Sequence, residues 1–456
     1  MKSTPSPWAA YEPSASDPWD LRKVAHLHRR AGFGAPLGVL KRDLADGPGA
    51  AIDRLLDPPA PSPAERETVE TLRRGAAGSG DVDRLKAYWL YRIIYGNDPL
   101  RERLTLSWHG HFATSIRKVK AVGLMAGQLE TLRRLALDDF GALLLAIVDD
   151  PAMLAWLDGA GSRKARPNEN FAREFLELFT LGPGHYAEAD VRESARAFAG
   201  WKFEGDRWNG PGRAVLDPSE VDDGPKTFLG RVGRWRPGDI VRIVLDRPEA
   251  AESLARRLWR LFVGEREGPD RATLGPLAAT IRSRGFAIRP VVAMILRSRA
   301  FFASTAYRER IKGPVEFSAG LARMLDLPRA AFRPMALAAA CDRQGQELCA
   351  PPNVKGWDGG KAWLNGSMLL ERGNWANDLI WGRSETGLDP FDPIAWADRS
   401  GVRPGEAARA LGDLLLQGDL APEARALVLR AGGDGRPDSL REALQIYVNC
   451  PEFQLA

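Results

Sequence analysis

Apolar residues recur every three or four positions along most of the chain, the signature of helices that bury one face. Between Asp81 and Gly96 the stripe is Leu85, Trp89, Leu90, Ile93 and Ile94. Asp98-Pro99 starts the next helix, the aspartate as N-cap and the proline at the first helical position. It carries Leu100, Leu104, Trp108 and Phe112. Met125 to Val148 reads as one long helix with Gly141 as a point of division. Asn168 to Leu181 is stopped by Gly182-Pro183-Gly184, and Glu188 to Trp201 follows. Later helices are expected over 237–245, 248–262, 269–283, 288–297, 308–327 and 329–343. Shorter ones include 406–416, 422–431 and 439–448.

The period fails in three places. Lys202 to Trp235 is rich in Gly, Pro and Asp, with short apolar pieces at 214–216 and 227–229, and reads as a loop-rich insert. Ala350 to Ser367 alternates Gly and Trp and is irregular. Segment 57–80, with its Pro, Ala and Gly, reads as a loop or short linker. The expected fold is mainly α: a multi-helical globular bundle whose insert has room for one short β-hairpin. Its organisation is an irregular segment 1–20, an N-terminal helical lobe 21–200, the insert 201–236 and a C-terminal helical lobe 237–456. A chain of 456 residues is too long for one simple core.

Charge changes little. There are 64 basic and 59 acidic residues, interleaved, so no nucleic-acid partner is expected. No stretch approaches ~18 uninterrupted apolar residues, so no membrane span is expected. Met1 to Asp20 shows no apolar export signal, which points to a soluble, cytoplasmic protein. Cys341, Cys349 and Cys450 form no C-x-x-C pair and read as idle thiols.

Chemistry, if present, belongs to a few segments. In the helix from Asn168, Phe171, Phe175 and Leu178 form the apolar stripe, while Glu169, Arg173 and Glu177 follow one another at intervals of four. Glu174 and Glu177, at i and i+3, can reach one point, as metal-holding carboxylates do in helical bundles. The same spacing also suits an exposed helix with i,i+4 ion pairs. Ser107 to Phe112 holds His109 and His111, which point about 200° apart on an unbroken helix. A shared metal therefore needs a break, which Gly110 could permit. Asp222-Asp223 offers two carboxylates to a cation or an ordinary Asp-Gly-Pro turn. His26 to Gly34 looks like a helix end, with Gly32 and Gly34 allowing positive φ. No nucleophile elbow, zincin motif or zinc-spaced cysteine cluster occurs.

Taken in order, these blocks resemble a large bacterial family catalogued as domain of unknown function 1800. The matching pieces include His28-Arg29-Arg30-Ala31-Gly32-Phe33-Gly34, Trp108-His109-Gly110-His111-Phe112 and Asn168-Glu169-Asn170-Phe171-Ala172-Arg173-Glu174. Lys312-Gly313-Pro314-Val315-Glu316-Phe317, Pro351-Pro352-Asn353-Val354-Lys355-Gly356-Trp357 and Pro451-Glu452-Phe453-Gln454 complete them. The resemblance implies no settled activity. It implies that many members are exported and are encoded beside a partner family resembling sulfatases. This chain departs from the pattern at Asp222-Asp223, where members typically read His-Asp.

Two functions are consistent with the resemblance and the residues. One is a metal-dependent hydrolase or oxidoreductase, with His109, His111, Glu169, Glu174 and Glu177 around zinc, manganese or iron. Glu174, Glu177 and Arg173 would then serve the chemistry. The other is a non-catalytic binding or assembly protein in which Arg173 and the glutamates form a structural network. Trp201, Trp208, Trp235, Trp357 and Trp363 would suit sugar stacking there, or simple packing under loops.

Overall fold

Short polar caps followed by proline begin many of the helices. Asp98-Pro99, Asp150-Pro151 and Asp392-Pro393 each place a carboxylate on the first free amides and a proline where no amide is needed. The computed structural model describes residues 6–204, 213–265, 268–383, 387–417 and 420–456. Among these, α1 (Leu21–Ala31), α2 (Leu37–Leu56), α3 (Pro63–Gly78), α4 (Val82–Tyr95) and α5 (Pro99–Phe112) come first. Then follow α6 (Ile116–Val119), α7 (Val122–Arg134), α8 (Phe140–Val148), α9 (Pro151–Trp156), α10 (Glu169–Glu174) and α11 (Glu188–Ala197). After two hairpins come α12 (Pro237–Leu245), α13 (Pro248–Phe262), α14 (Arg271–Ser283), α15 (Ile288–Arg297), α16 (Pro314–Met324) and α17 (Pro334–Arg343). The chain closes with α18 (Gly366–Trp381), α19 (Pro393–Arg399), α20 (Pro404–Leu416), α21 (Pro422–Gly432) and α22 (Pro437–Asn449). The fold is mainly α, and no helix among the described residues is long and apolar enough to cross a membrane.

Several expectations need correction. Segment 57–80 is not a linker: Ser62 and Glu65 form a reciprocal capping box and start α3. The insert holds two antiparallel hairpins rather than one. β1 (Trp201–Glu204) pairs with β2 (Arg213–Leu216), and β3 (Lys226–Phe228) pairs with β4 (Arg231–Gly233). The long helix over 125–148 is split by a turn, and α18 begins inside the stretch read as irregular. Gly32 does not take positive φ; it lets Pro99 approach, since a Cβ there would sit 2.9 Å from the proline ring.

Two apolar cores lie side by side: one draws on helices from α1 to α15, the other on helices from α1 to α22. α5 lies between them. Leu100, Leu104, Trp108 and Phe112 enter one core and Leu106 the other, so nearly the whole helix is buried. α1 is shared in the same way and buries nine consecutive residues, Lys23 to Ala31.

Burying α1 places Arg29 and Arg30 in the interior. Each is held against carbonyls at the C-terminal end of another helix. Arg29 donates to Leu414 and Leu415 in α20, and Arg30 to Phe262 and Val263 at the end of α13. Arg323 caps α4 in the same manner, donating to Ile93, Ile94 and Gly96. A helix C-terminus carries partial negative charge and free carbonyls, so a planar guanidinium with five donors fits it.

Candidate functional site

α5 is regular through Gly110, so its two histidines diverge. His109 faces an aromatic enclosure, with the Trp89 ring edge-on at 5.4 Å and Trp357 at 5.6 Å. Burial pushes its pKa down to about 4, and Nε2 has no hydrogen-bond partner among the described residues. His111 faces the other core, among Phe112, Phe140 and Phe179. Its Nε2 lies 3.1 Å from the Phe179 carbonyl oxygen. A carbonyl only accepts, so Nε2 carries the proton and the buried Nδ1 is a bare lone pair. Burial, with help from Arg257, holds this imidazole neutral.

The reason for that hydrogen bond lies in the sequence. Phe179 lies in the last turn, before Gly182 at φ 88° ends the helix, so its carbonyl has no donor within its own helix. His111 supplies the missing donor. It therefore acts as a cap on the neighbouring helix, a role that spacing alone did not suggest.

That neighbouring helix changes pitch. α10 runs directly into a π-helical turn, Phe175–Thr180, where the Thr180 hydroxyl donates to the Phe175 carbonyl at 2.6 Å. Such turns are rare and are frequent at functional sites. Asn168 explains its own place: Oδ1 caps the Asn170 amide, and Nδ2 donates to the Leu157 carbonyl at 2.8 Å. Arg173 is held in a fork by Glu188 at 2.6 and 2.8 Å, with Glu169 at 3.7 Å. These three are partly or fully exposed and form a surface network.

Glu174 and Glu177 remain. Glu177 accepts from the Tyr186 hydroxyl at 2.9 Å. Glu174 is half-buried and makes no hydrogen bond among the described residues. Burial raises its pKa first and the charge of Glu177 second, while Arg173 and Lys355 act the other way. Lys355 sits in the turn Asn353–Trp357, whose Gly356 packs backbone to backbone on Gly110. The structure thus brings together Glu174, Glu177, Tyr186 and Lys355. It sets Arg173 and Glu169 on the outer network and each histidine in its own aromatic shell. Among the described residues, no group of three or more His, Cys, Asp or Glu is placed to hold a metal ion.

The aspartates of the insert are engaged by neighbouring arginines. Asp222 takes a fork from Arg196 and caps the Gly224 amide, so the turn reading describes it. Asp223 pairs with Arg236. Trp201, Trp235, Trp357 and Trp363 are all part-buried, and Trp208 lies outside the described residues. Sequence reasoning missed Tyr186 and Lys355. Lys355 was visible in the Pro351–Trp357 block, but only the fold brings its charge near enough to act on Glu174.

A long, mainly helical chain with buried, motif-borne arginines and a π-turn defines the class. The chain belongs to the family described as protein of unknown function (DUF1800), matched over residues 26–455. No curated protein and no solved structure matches it.

Proposed function

We propose that this chain is a non-catalytic binding or assembly protein whose motif residues serve mainly to build the scaffold. The observation that carries this reading is the unbroken α5, which turns His109 and His111 into separate aromatic shells. Neither is placed in a cluster with Glu174 and Glu177. The surroundings of three motif residues support the same reading: His111 caps a carbonyl, Asn168 caps α10, and Arg173 is engaged by Glu188. Glu174 and Glu177 lie together, but His109, His111 and Glu169 do not join them, and such a set does not fit a metal centre.

The test is elemental analysis by plasma mass spectrometry of protein purified without a histidine tag, beside a Glu174→Ala, Glu177→Ala variant. The expected result is no stoichiometric metal in either, with both proteins folded. Near-stoichiometric zinc, manganese or iron, lost in a still-folded variant, would overturn the reading and restore the metal-dependent enzyme.

A further inference from the structure

A cleft of about 430 Å³ opens between α3 and α4, on residues the motifs do not touch. Ligand sites commonly span about 300–1,000 Å³. One wall is aromatic. Tyr91 and Tyr95, on successive turns of α4, lie 5.1 Å apart and are backed by Phe332 at 6.0 and 5.5 Å. Backing of this kind fixes the ring planes, and both tyrosines are only part-buried.

The polar lining is dense: each of its carboxylates is engaged by a guanidinium, while Arg66 donates to the Pro61 backbone carbonyl. Arg73 forks onto Glu70 at 2.7 and 2.8 Å. Arg92 reaches below the cleft to Glu102 at 2.7 Å. Glu130 accepts from Tyr88 at 2.8 Å and from Arg133 at 2.6 Å. Arg329 stands 3.5 Å from Glu65. A cationic ligand would have to displace a guanidinium from its carboxylate, and an anionic one would have to draw a guanidinium from its carboxylate or Arg66 from the Pro61 carbonyl. A neutral ligand need not. Carboxylates have about four acceptor sites and guanidiniums about five donors, so each pair leaves both kinds unspent. Side by side against an aromatic wall, these are the complement of vicinal hydroxyl groups, which donate and accept together while the ring's C–H face stacks.

A second cavity of about 390 Å³ shares Tyr95, Gly96 and Arg329 with the first. The Arg329 guanidinium lies 5.8 Å over the Tyr95 ring. The two cavities thus form adjoining subsites divided by this pair. We propose that the cleft binds a neutral oligosaccharide, one sugar against Tyr91 and Tyr95 and the chain continuing past Arg329. This rests on the binding reading and names its ligand class.

The full-length protein should be screened on a glycan microarray, with the best neutral oligosaccharide titrated by calorimetry at low and high salt. The expected result is saturable binding that salt does not change. Tyr91→Ala should weaken it about tenfold, and Glu70→Gln should weaken it too, each with an unchanged circular dichroism spectrum. The proposal is overturned if no neutral glycan binds, if only anionic glycans bind with strong salt dependence, or if folded Tyr91→Ala binds as tightly as the parent. Release of reducing ends from a bound oligosaccharide would keep the cleft proposal and sink the non-catalytic reading. Absence of both glycan binding and metal would do the reverse.

Discussion

Asp150 is a carboxylate that caps a helix from inside the molecule. It accepts from the Met153 amide at 2.8 Å and the Gln128 side chain at 2.6 Å, yet burial pushes its pKa up to about 7. An unfolded aspartate titrates near about 3.9. Between those values the folded protein holds a proton that the unfolded chain has released. Asp150 therefore makes stability fall as pH rises through this window, by up to about 1.4 kcal/mol per pH unit. Asp150→Asn keeps a capping oxygen and removes the charge. Urea melts across the window should show a flatter pH dependence in the variant; an unchanged slope would mean the carboxylate is not perturbed. His109 works in the opposite sense: its pKa is depressed, so its contribution is full above the ordinary histidine value and lost as pH falls toward about 4. At this scale the sequence was partly legible. The divergence of the two histidines followed from their spacing. The cap made by His111 was written in the Gly182-Pro183-Gly184 stop, but reading it required knowing that α5 packs on the π-turn.

Elements were most legible where period and caps agreed. The helices 237–245, 248–262 and 288–297 appear with the predicted limits, because a proline start or an apolar stripe marks each boundary. α3 was missed because its Ala, Gly and Pro content disguised a helix whose start signal, Ser62-Pro63-Ala64-Glu65, was present. Ser62→Ala should cost about 1 kcal/mol and raise hydrogen exchange along 63–78 first, since the cap holds the exposed start of that helix. Unaltered exchange there would show that α3 is fixed by packing alone. The π-turn was invisible to a periodicity argument, which assumes one pitch throughout. The second hairpin was missed because three-residue strands give almost no alternation to detect.

The whole molecule is governed by its shared helices. α1, α5 and α9 each send side chains into both cores, so neither core can open without exposing the other. Scanning calorimetry should give a single transition, coincident with tryptophan fluorescence and far-ultraviolet circular dichroism. Two resolved transitions would show that the cores unfold independently. Topology of this kind could not be read from the chain, because periodicity reports which face is buried and not against what. The seam at Gly110 carries one more consequence. A side chain at Gly356 would collide with the Gly110 carbonyl, and the adjoining Trp357 closes the enclosure around His109. During synthesis α5 leaves the ribosome long before that turn exists. The nascent chain therefore carries an open aromatic socket at Trp89 and His109 through much of its translation, and the last third of the polypeptide is the stopper that makes the first third safe to release.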